Sequence, residues 1–285
     1  MSHISYSQTS LYSECPKHWQ LNYIDKVSVF EPSIHLIFGS AMHTTLQTYL
    51  TKLYSDTAKS ADALDLFKLL QENMSDEFIK SKKKFGKNPC KKEDLNEFFI
   101  DGTNIINFFK KNRGKYFNKK WELLGCEYPL NVKVKEKLRF IGFIDVIIRN
   151  KQSGRIVVID IKTSTRGWRD YEKKNKNKTS QVLLYKYFYS QKYDIPIDMV
   201  DVEYFIVKRK LWENVDFPQK RVQIFSPASG NVSINRVMKS FNKFISEAFD
   251  EEGNRIVKKY DATPSKDSCR WCEFYNTQYC DKGVR

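Results

Sequence analysis

The run IVVIDIKTST, residues 156–165, constrains the fold more than any other stretch of the chain. It opens with consecutive apolar, β-branched positions, the mark of a strand covered on both faces. Towards its end it places Asp160 and Lys162 two residues apart, so both side chains leave the same face. An acid and a base are costly to desolvate, and an edge strand wetted on one face would hold them cheaply. A buried strand that carries them anyway calls for a chemical reason.

The preceding residues supply one. LRFIGFIDVIIRN, residues 138–150, is a second apolar strand, and KQSG, residues 151–154, reads as the hairpin turn between the two. With the turn there, Asp145 and Asp160 face each other approximately across adjacent strands. Two carboxylates so close repel one another, and a divalent cation between them relieves the repulsion. Hard oxygen donors suit Mg²⁺ or Mn²⁺. Lys162, beside Asp160, can orient an attacking water or balance charge on a phosphate. An Asp-x-Lys pair alone is an ordinary salt bridge at a strand end. The spacing of Asp145, a hairpin and Asp160-x-Lys162 points instead to metal-dependent phosphodiester hydrolysis.

Around this hairpin the patterning predicts an α/β chain with a mixed central β-sheet flanked by helices. Helices are expected from Ser5 or Ser7 through Trp19, over about 35–54, 61–81 and 93–112, from Gln181 to Gln191 behind a Thr179 or Ser180 cap, and over 232–249. Residues 81–94 and the stretch YEKKNKNKTS read as basic loops. WELLGCEYPLNVKV, VDVEYFIVKRK and RVQIFS read as further strands. The 285 residues suit a single domain, with 55–120 as a helical insertion near the N-terminus. Glu127, on the strand before the hairpin, is another acid that could stand near Asp145 and Asp160, although a solvent-facing strand residue is the better reading.

Lys and Arg number 49 against 34 for Asp and Glu, and 49 − 34 gives +15. That excess makes a polyanion the default partner. RGWRDYEKKNKNK, leading away from Lys162, mixes cations and rings at Arg166, Trp168, Arg169 and Tyr171, which suits a single strand of nucleic acid. Lys208, Arg209 and Lys210 offer one more backbone contact. None of these reads sequence, so cleavage is expected to depend on free ends or strandedness. With no membrane span and no signal peptide in the sequence, a reducing, cytoplasmic compartment is expected, and the Lys- and Asn-rich composition would suit a small AT-rich bacterium or a phage acting in its host's cytoplasm.

In such a compartment cysteines serve as ligands or free thiols. The tail, SCRWCEFYNTQYC, gives Cys269, Cys272 and Cys280, and C-x₂-C is a strong ligand spacing. Cys15 is the best fourth thiolate. Tetrahedral Zn²⁺ and an iron–sulfur cluster both take such a set. Cys90, in a basic loop, and Cys126, in a strand, read as structural.

Taken in order, these motifs resemble the PD-(D/E)xK nuclease superfamily, and within it the RecB/AddB-like branch that includes the CRISPR-adaptation nucleases. GSAMH, residues 39–43, matches the helix that supplies a histidine, GFID the first acidic motif, VIDIKTS the second, and QVLLY, residues 181–185, the Q-x-x-x-Y helix. The Pro familiar before the first acid is replaced by Ile144. The resemblance implies a restriction-endonuclease-like core and a catalytic set of His43, Asp145, Asp160, Lys162, Gln181 and Tyr185. His43, Asp145 and Asp160 would hold the divalent ion. It further implies a [4Fe–4S] cluster on Cys15, Cys269, Cys272 and Cys280, pinning residues 1–20 to 262–285. The activity implied is a DNA exonuclease of recombination, repair or replication, with a helicase partner and an oligomeric ring among relatives. The rival expectations are a flap endonuclease on the same fold and a non-catalytic DNA-binding subunit of a helicase complex.

Overall fold

In chain order the computed structural model runs β1 (Ser2–Ile4), α1 (Tyr6–Glu14), α2 (Pro16–Trp19), α3 (Ile34–Ser55), α4 (Ala58–Asp62), α5 (Leu66–Phe85), α6 (Lys92–Asn112), β2 (Trp121–Lys135), β3 (Leu138–Asn150), β4 (Ile156–Ser164), α7 (Asp170–Lys174), α8 (Lys176–Tyr193), β5 (Val200–Lys208), β6 (Val222–Phe225), α9 (Asn231–Ala248) and α10 (Lys266–Cys269). It describes residues 2–27 and 33–284. Met1 and Arg285, the outer ends of the two segments expected to be pinned together, lie outside the described residues. The chain divides into two compact units. The larger is Glu31–Tyr128 with Phe143–Ser229; the smaller is Met1–Phe30, Pro129–Gly142 and Gly230–Arg285.

In the larger unit the second half of β3 pairs antiparallel with β4 from Val146↔Ile159 to Arg149↔Ile156. The turn at 151–154 closes them, with Gly154 at φ +71, a left-handed conformation that glycine adopts without steric cost. β4 pairs parallel with β5 along its whole length, and β5 pairs antiparallel with β6. A parallel neighbour requires a crossover, and α7 with α8 provide it. β4 therefore lies between two strands, not at an edge. Ile37, Phe38, Leu46 and Leu50 of α3 and Leu70, Ile105 and Phe109 of α5 and α6 form one core with Ile148, Ile159, Ile161, Phe205 and Val207 of the strands.

Helix boundaries follow local chemistry that composition obscures. Lys82, Lys83 and Lys84 do not open a loop. They form the last turn of α5, where cations complement the helix dipole, and Gly86 at φ +71 ends it. YEKKNKNKTS is largely helical as well. Asn175 accepts from the Lys178 amide and caps α8 five residues before the expected start, so Thr179 and Ser180 lie inside the helix and bond back to Asn175 and Lys176 carbonyls.

In the smaller unit, Ser5 caps α1, but Pro16 stops it and starts α2, splitting the single helix expected through Trp19. Trp19 is fully buried among Tyr12, Phe244 and Tyr260, with ring centroids 5.4, 5.2 and 5.2 Å away. β1 pairs parallel with Leu138–Phe140, the first part of β3. Among the described residues no helix is long and apolar enough to cross a membrane.

Gly102 sets how closely α6 approaches its neighbours. A Cβ there would sit 2.4 Å from Leu70 Cδ2, 3.1 Å from Phe38 and 3.2 Å from Met42, all buried. In an open helix, Gly→Ala would gain about 1 kcal/mol. Here overpacking outweighs that gain, and Gly102→Ala is expected to lower stability by about 1–2 kcal/mol net. Denaturant unfolding of the two proteins measures the sign.

Candidate active site

One step beyond Val146↔Ile159, the antiparallel register sets Asp145 opposite Asp160. Asp160 is 1% exposed. One of its oxygens, Oδ2, is buried and lies 2.8 Å from the Lys162 ammonium, with no other hydrogen-bond partner among the described residues. Asp145 Oδ2 accepts from the Ile161 amide at 2.7 Å. Lys162 donates to Gln181 Oε1 at 3.1 Å, and Gln181 Nε2 donates to the Tyr185 hydroxyl at 3.2 Å. Gln181 and Tyr185 are one turn apart on α8, so one helix face holds the amine.

α3 approaches from the other direction. His43 Nδ1 lies 3.5 Å from Asp145 Oδ2. One turn on, Gln47 donates to Glu127 Oε1 at 2.8 Å and to the Asp145 carbonyl at 3.0 Å. Glu127 takes a left-handed backbone at φ +46 within β2. Although exposed, it is tied into this group rather than standing alone in solvent. Gln47 was not anticipated, although its place four residues after His43 on an amphipathic helix is the signal that would have found it.

Burial dominates the electrostatics. It pushes the Asp145 carboxyl up to about 6, although Lys162 and the Ile161 amide pull it down. It pushes Asp160 up to about 6, against Lys162 and with help from Asp145. Burial also lowers His43 to about 4, so its imidazole is neutral at pH 7 and has a lone pair to offer. For Lys162 burial works downward, but Asp160 and Asp145 outweigh it and the ammonium is held above its ordinary value. Two carboxylates, one of them fully buried, and a neutral imidazole fit a hard divalent cation. The donor atoms of His43, Asp145 and Asp160 do not all lie within 4.8 Å of one another; among the described residues the trio that close is His18, Cys272 and Glu273.

The basic segment after β4 divides. Arg166 and Tyr171 are exposed, and the Arg169 amide caps α7 through Glu172. Trp168 corrects the expectation of an open stacking ring. It is 8% exposed, packs on Tyr204 at 4.8 Å, and has its backbone held by Gln223. Lys208 is half-buried, and burial followed by Lys173 lowers its pKa. Arg209 and Lys210 are committed to Asp101 at 2.6 and 3.1 Å.

In the smaller unit Cys15 lies between α1 and α2, Cys269 ends α10, and the Cys272 and Cys280 amides close turns on Cys269 and Thr277. The Thr263 hydroxyl donates to the Glu14 carbonyl at 3.0 Å, joining the tail to the residue before Cys15. His18 Nε2 is 3.0 Å from Glu273 Oε2, and Asn22 donates to Glu273 Oε1 at 3.0 Å. Burial alone would lower His18, but hydrogen bonds to Cys272 and Glu273 push it up to about 10. None of the six cysteines forms a disulfide within the described residues.

No curated protein matches the chain. The sequence model of the PD-(D/E)XK nuclease superfamily matches residues 3–280, spanning both acidic strands, the helices beside them and the cysteine tail. Members of that superfamily are nucleases that use divalent metals such as Mg²⁺ or Mn²⁺. With the match covering nearly its whole length, the chain belongs to the PD-(D/E)XK nuclease superfamily.

Proposed function

We propose that this chain is a metal-dependent DNA exonuclease whose site is built from Asp145, Asp160, Lys162, His43, Gln181 and Tyr185. The observation that carries the reading is the buried Asp160 carboxylate, opposite a second desolvated acid and 2.8 Å from an ammonium. When bound at Asp145, Asp160 and His43, one or two Mg²⁺ or Mn²⁺ ions would polarise the scissile phosphate and activate water. Lys162, charged and steadied by Gln181, orients the nucleophile and offsets negative charge on the phosphate. Gln47 fixes the backbone of Asp145. The net charge of +15 supports DNA as the substrate.

The order of the motifs supports the RecB/AddB-like branch, with work in recombination, repair or replication, a helicase partner and a cytoplasmic setting. A [4Fe–4S] cluster on Cys15, Cys269, Cys272 and Cys280 would act as a staple, and all four cysteines fall in one unit. A second reading of the tail has its own support. The mixed nitrogen, sulfur and oxygen donors of His18, Cys272 and Glu273 suit zinc.

Three outcomes are expected. Asp160→Ala should lower Mn²⁺-dependent digestion of end-labelled DNA by at least about a thousandfold, as should EDTA on the parent protein, while a covalently closed circle stays intact. Undiminished cleavage by Asp160→Ala would move the chemistry elsewhere, and a nicked or linearised circle would favour the endonuclease reading.

The second outcome concerns stability. Asp145 and Asp160 stand at about 6, above their ordinary 3.8. In metal-free protein a raised carboxyl pKa gives stability that is full below about 4 and is lost as pH rises through 6. At pH 8 both charges therefore oppose folding. Asp145→Asn keeps an oxygen for the Ile161 amide and removes one charge. In EDTA at pH 8 it should melt above the parent by the equivalent of about 1–3 kcal/mol, and the gap should shrink as pH falls from 8 to 5. A melting point at or below the parent's at pH 8 would refute this account of the pair.

The third outcome is a metal content. Protein purified without oxygen should carry iron and sulfide with visible absorption that Cys269→Ser removes. Colourless protein with about one zinc per chain, lost in His18→Ala, would establish the zinc reading instead.

A further inference from the structure

We propose that the loop between β5 and β6 presents Trp212 as a platform on which bases of unpaired DNA stack. The proposal rests on the nuclease reading above and names how that site's substrate is held. The loop spans residues 209–221, and its neck is rigid. The Arg209 and Lys210 amides continue the β4 pairing, donating to the Ser164 and Thr165 carbonyls at 2.8 and 2.7 Å. Their side chains are tied to Glu97 and Asp101 of α6. The Lys208 amide closes the hairpin on the Arg221 carbonyl at 2.7 Å.

Beyond the neck, Gln219 clasps Trp212 by both backbone groups: its Oε1 accepts from the Trp212 amide and its Nε2 donates to the Trp212 carbonyl, each at 2.7 Å. A tryptophan so fixed in backbone still leaves 49% of its surface in solvent, and Phe217 leaves 59%. The exposed guanidinium of Arg166 lies over the Trp212 ring, 4.1 Å from its centroid. The pair therefore offers a flat ring backed by a cation, which matches the stacked face and the phosphate of one nucleotide. Glu213 and Asp216 follow Trp212 in the loop, and Arg209 and Lys210 of the neck are paired with Asp101 and Glu97, so Arg166 is the exposed cation set against the ring.

Position gives the pair its purpose. Lys162 pairs in register with Ile206 and Ser164 with Lys208, so the loop leaves the sheet at the end of β4 that bears the candidate site. Arg166 follows Lys162 by four residues, which caps their Cα separation at about 14 Å. Bases in a duplex are already stacked on one another and cannot use the ring. The platform accordingly selects unpaired strands, and it takes the role that the buried Trp168 cannot fill.

The test uses the full chain carrying Asp160→Ala, in EDTA, with a labelled oligothymidylate and a duplex of equal length. Adding Trp212→Ala should weaken single-strand binding between about 5- and 150-fold, the loss of one stacked base, and leave duplex binding unchanged. Trp212→Phe should restore most of the loss. Single-strand binding undiminished by Trp212→Ala, an equal loss with duplex, or no rescue by Phe would each overturn the proposal. Binding is read without metal or turnover, so a failure of the nuclease reading would show separately, as absent cleavage by the parent protein.

Discussion

The site depends on one constraint: two carboxylates held opposite each other on strands that cannot slide. A one-residue slip of β3 against β4 would turn Asp145 to the other face and leave Asp160 alone. The tight turn at 151–154 prevents it, closed by bonds from the Gly154 amide to the Asn150 carbonyl and from the Asn150 amide to the Arg155 carbonyl, and the buried Ile147, Ile148, Val158 and Ile159 clamp both faces of the pair. The parallel pairing of β4 with β5 holds the other side. The hydrophobic pattern that fixes the sheet thus also fixes the acids, and the energy that buries the aliphatic chains offsets the cost of desolvating the charges.

Burial then decides the protonation of everything nearby. It raises both acids and lowers the histidine, and Lys162 offsets part of each acid's shift. For the lysine alone, proximity to opposite charge outweighs desolvation. Near neutral pH the group therefore holds acids close to the edge of titration, a neutral imidazole and a firm cation. Gln47, Gln181 and Tyr185 add no charge. They direct hydrogen bonds at the Asp145 carbonyl and the Lys162 ammonium, fixing orientation without adding to the repulsion.

How much of this could be read from the sequence depends on how local each determinant is. The hairpin was legible because KQSG fixes the register and counting does the rest. The helices were legible in type, but their ends were not. An Asn three residues before a lysine amide can cap a helix, and nothing in a Lys-rich composition says whether it does. Glu127 is solvent-facing as read, but its hydrogen bond from Gln47 joins residues 80 positions apart, which no local pattern shows. Trp168 and Trp212 show the limit best. Both lie in basic, loop-like sequence, yet one packs against Tyr204 and Phe225 while the other carries the Arg166 guanidinium over its ring. Which ring is buried depends on strands distant in sequence.

The same reasoning limits what a net charge of +15 can say about substrate. Many of the cations are committed within the fold: Arg209 and Lys210 to Asp101 and Glu97, Arg113 to Asp62, Lys178 to Glu172, and Arg155 to Asp201. A cation already paired to an acid releases few counterions when a phosphate arrives, so it contributes little to binding or to its salt dependence. Arg166 is differently placed. Its charge rests on an aromatic ring, which strengthens neither partner's claim on a counterion and leaves the guanidinium edge open to phosphate. The path of a nucleic acid over this surface is therefore set by the cations that stack on rings or stand in solvent, and a count of lysines overstates its strength.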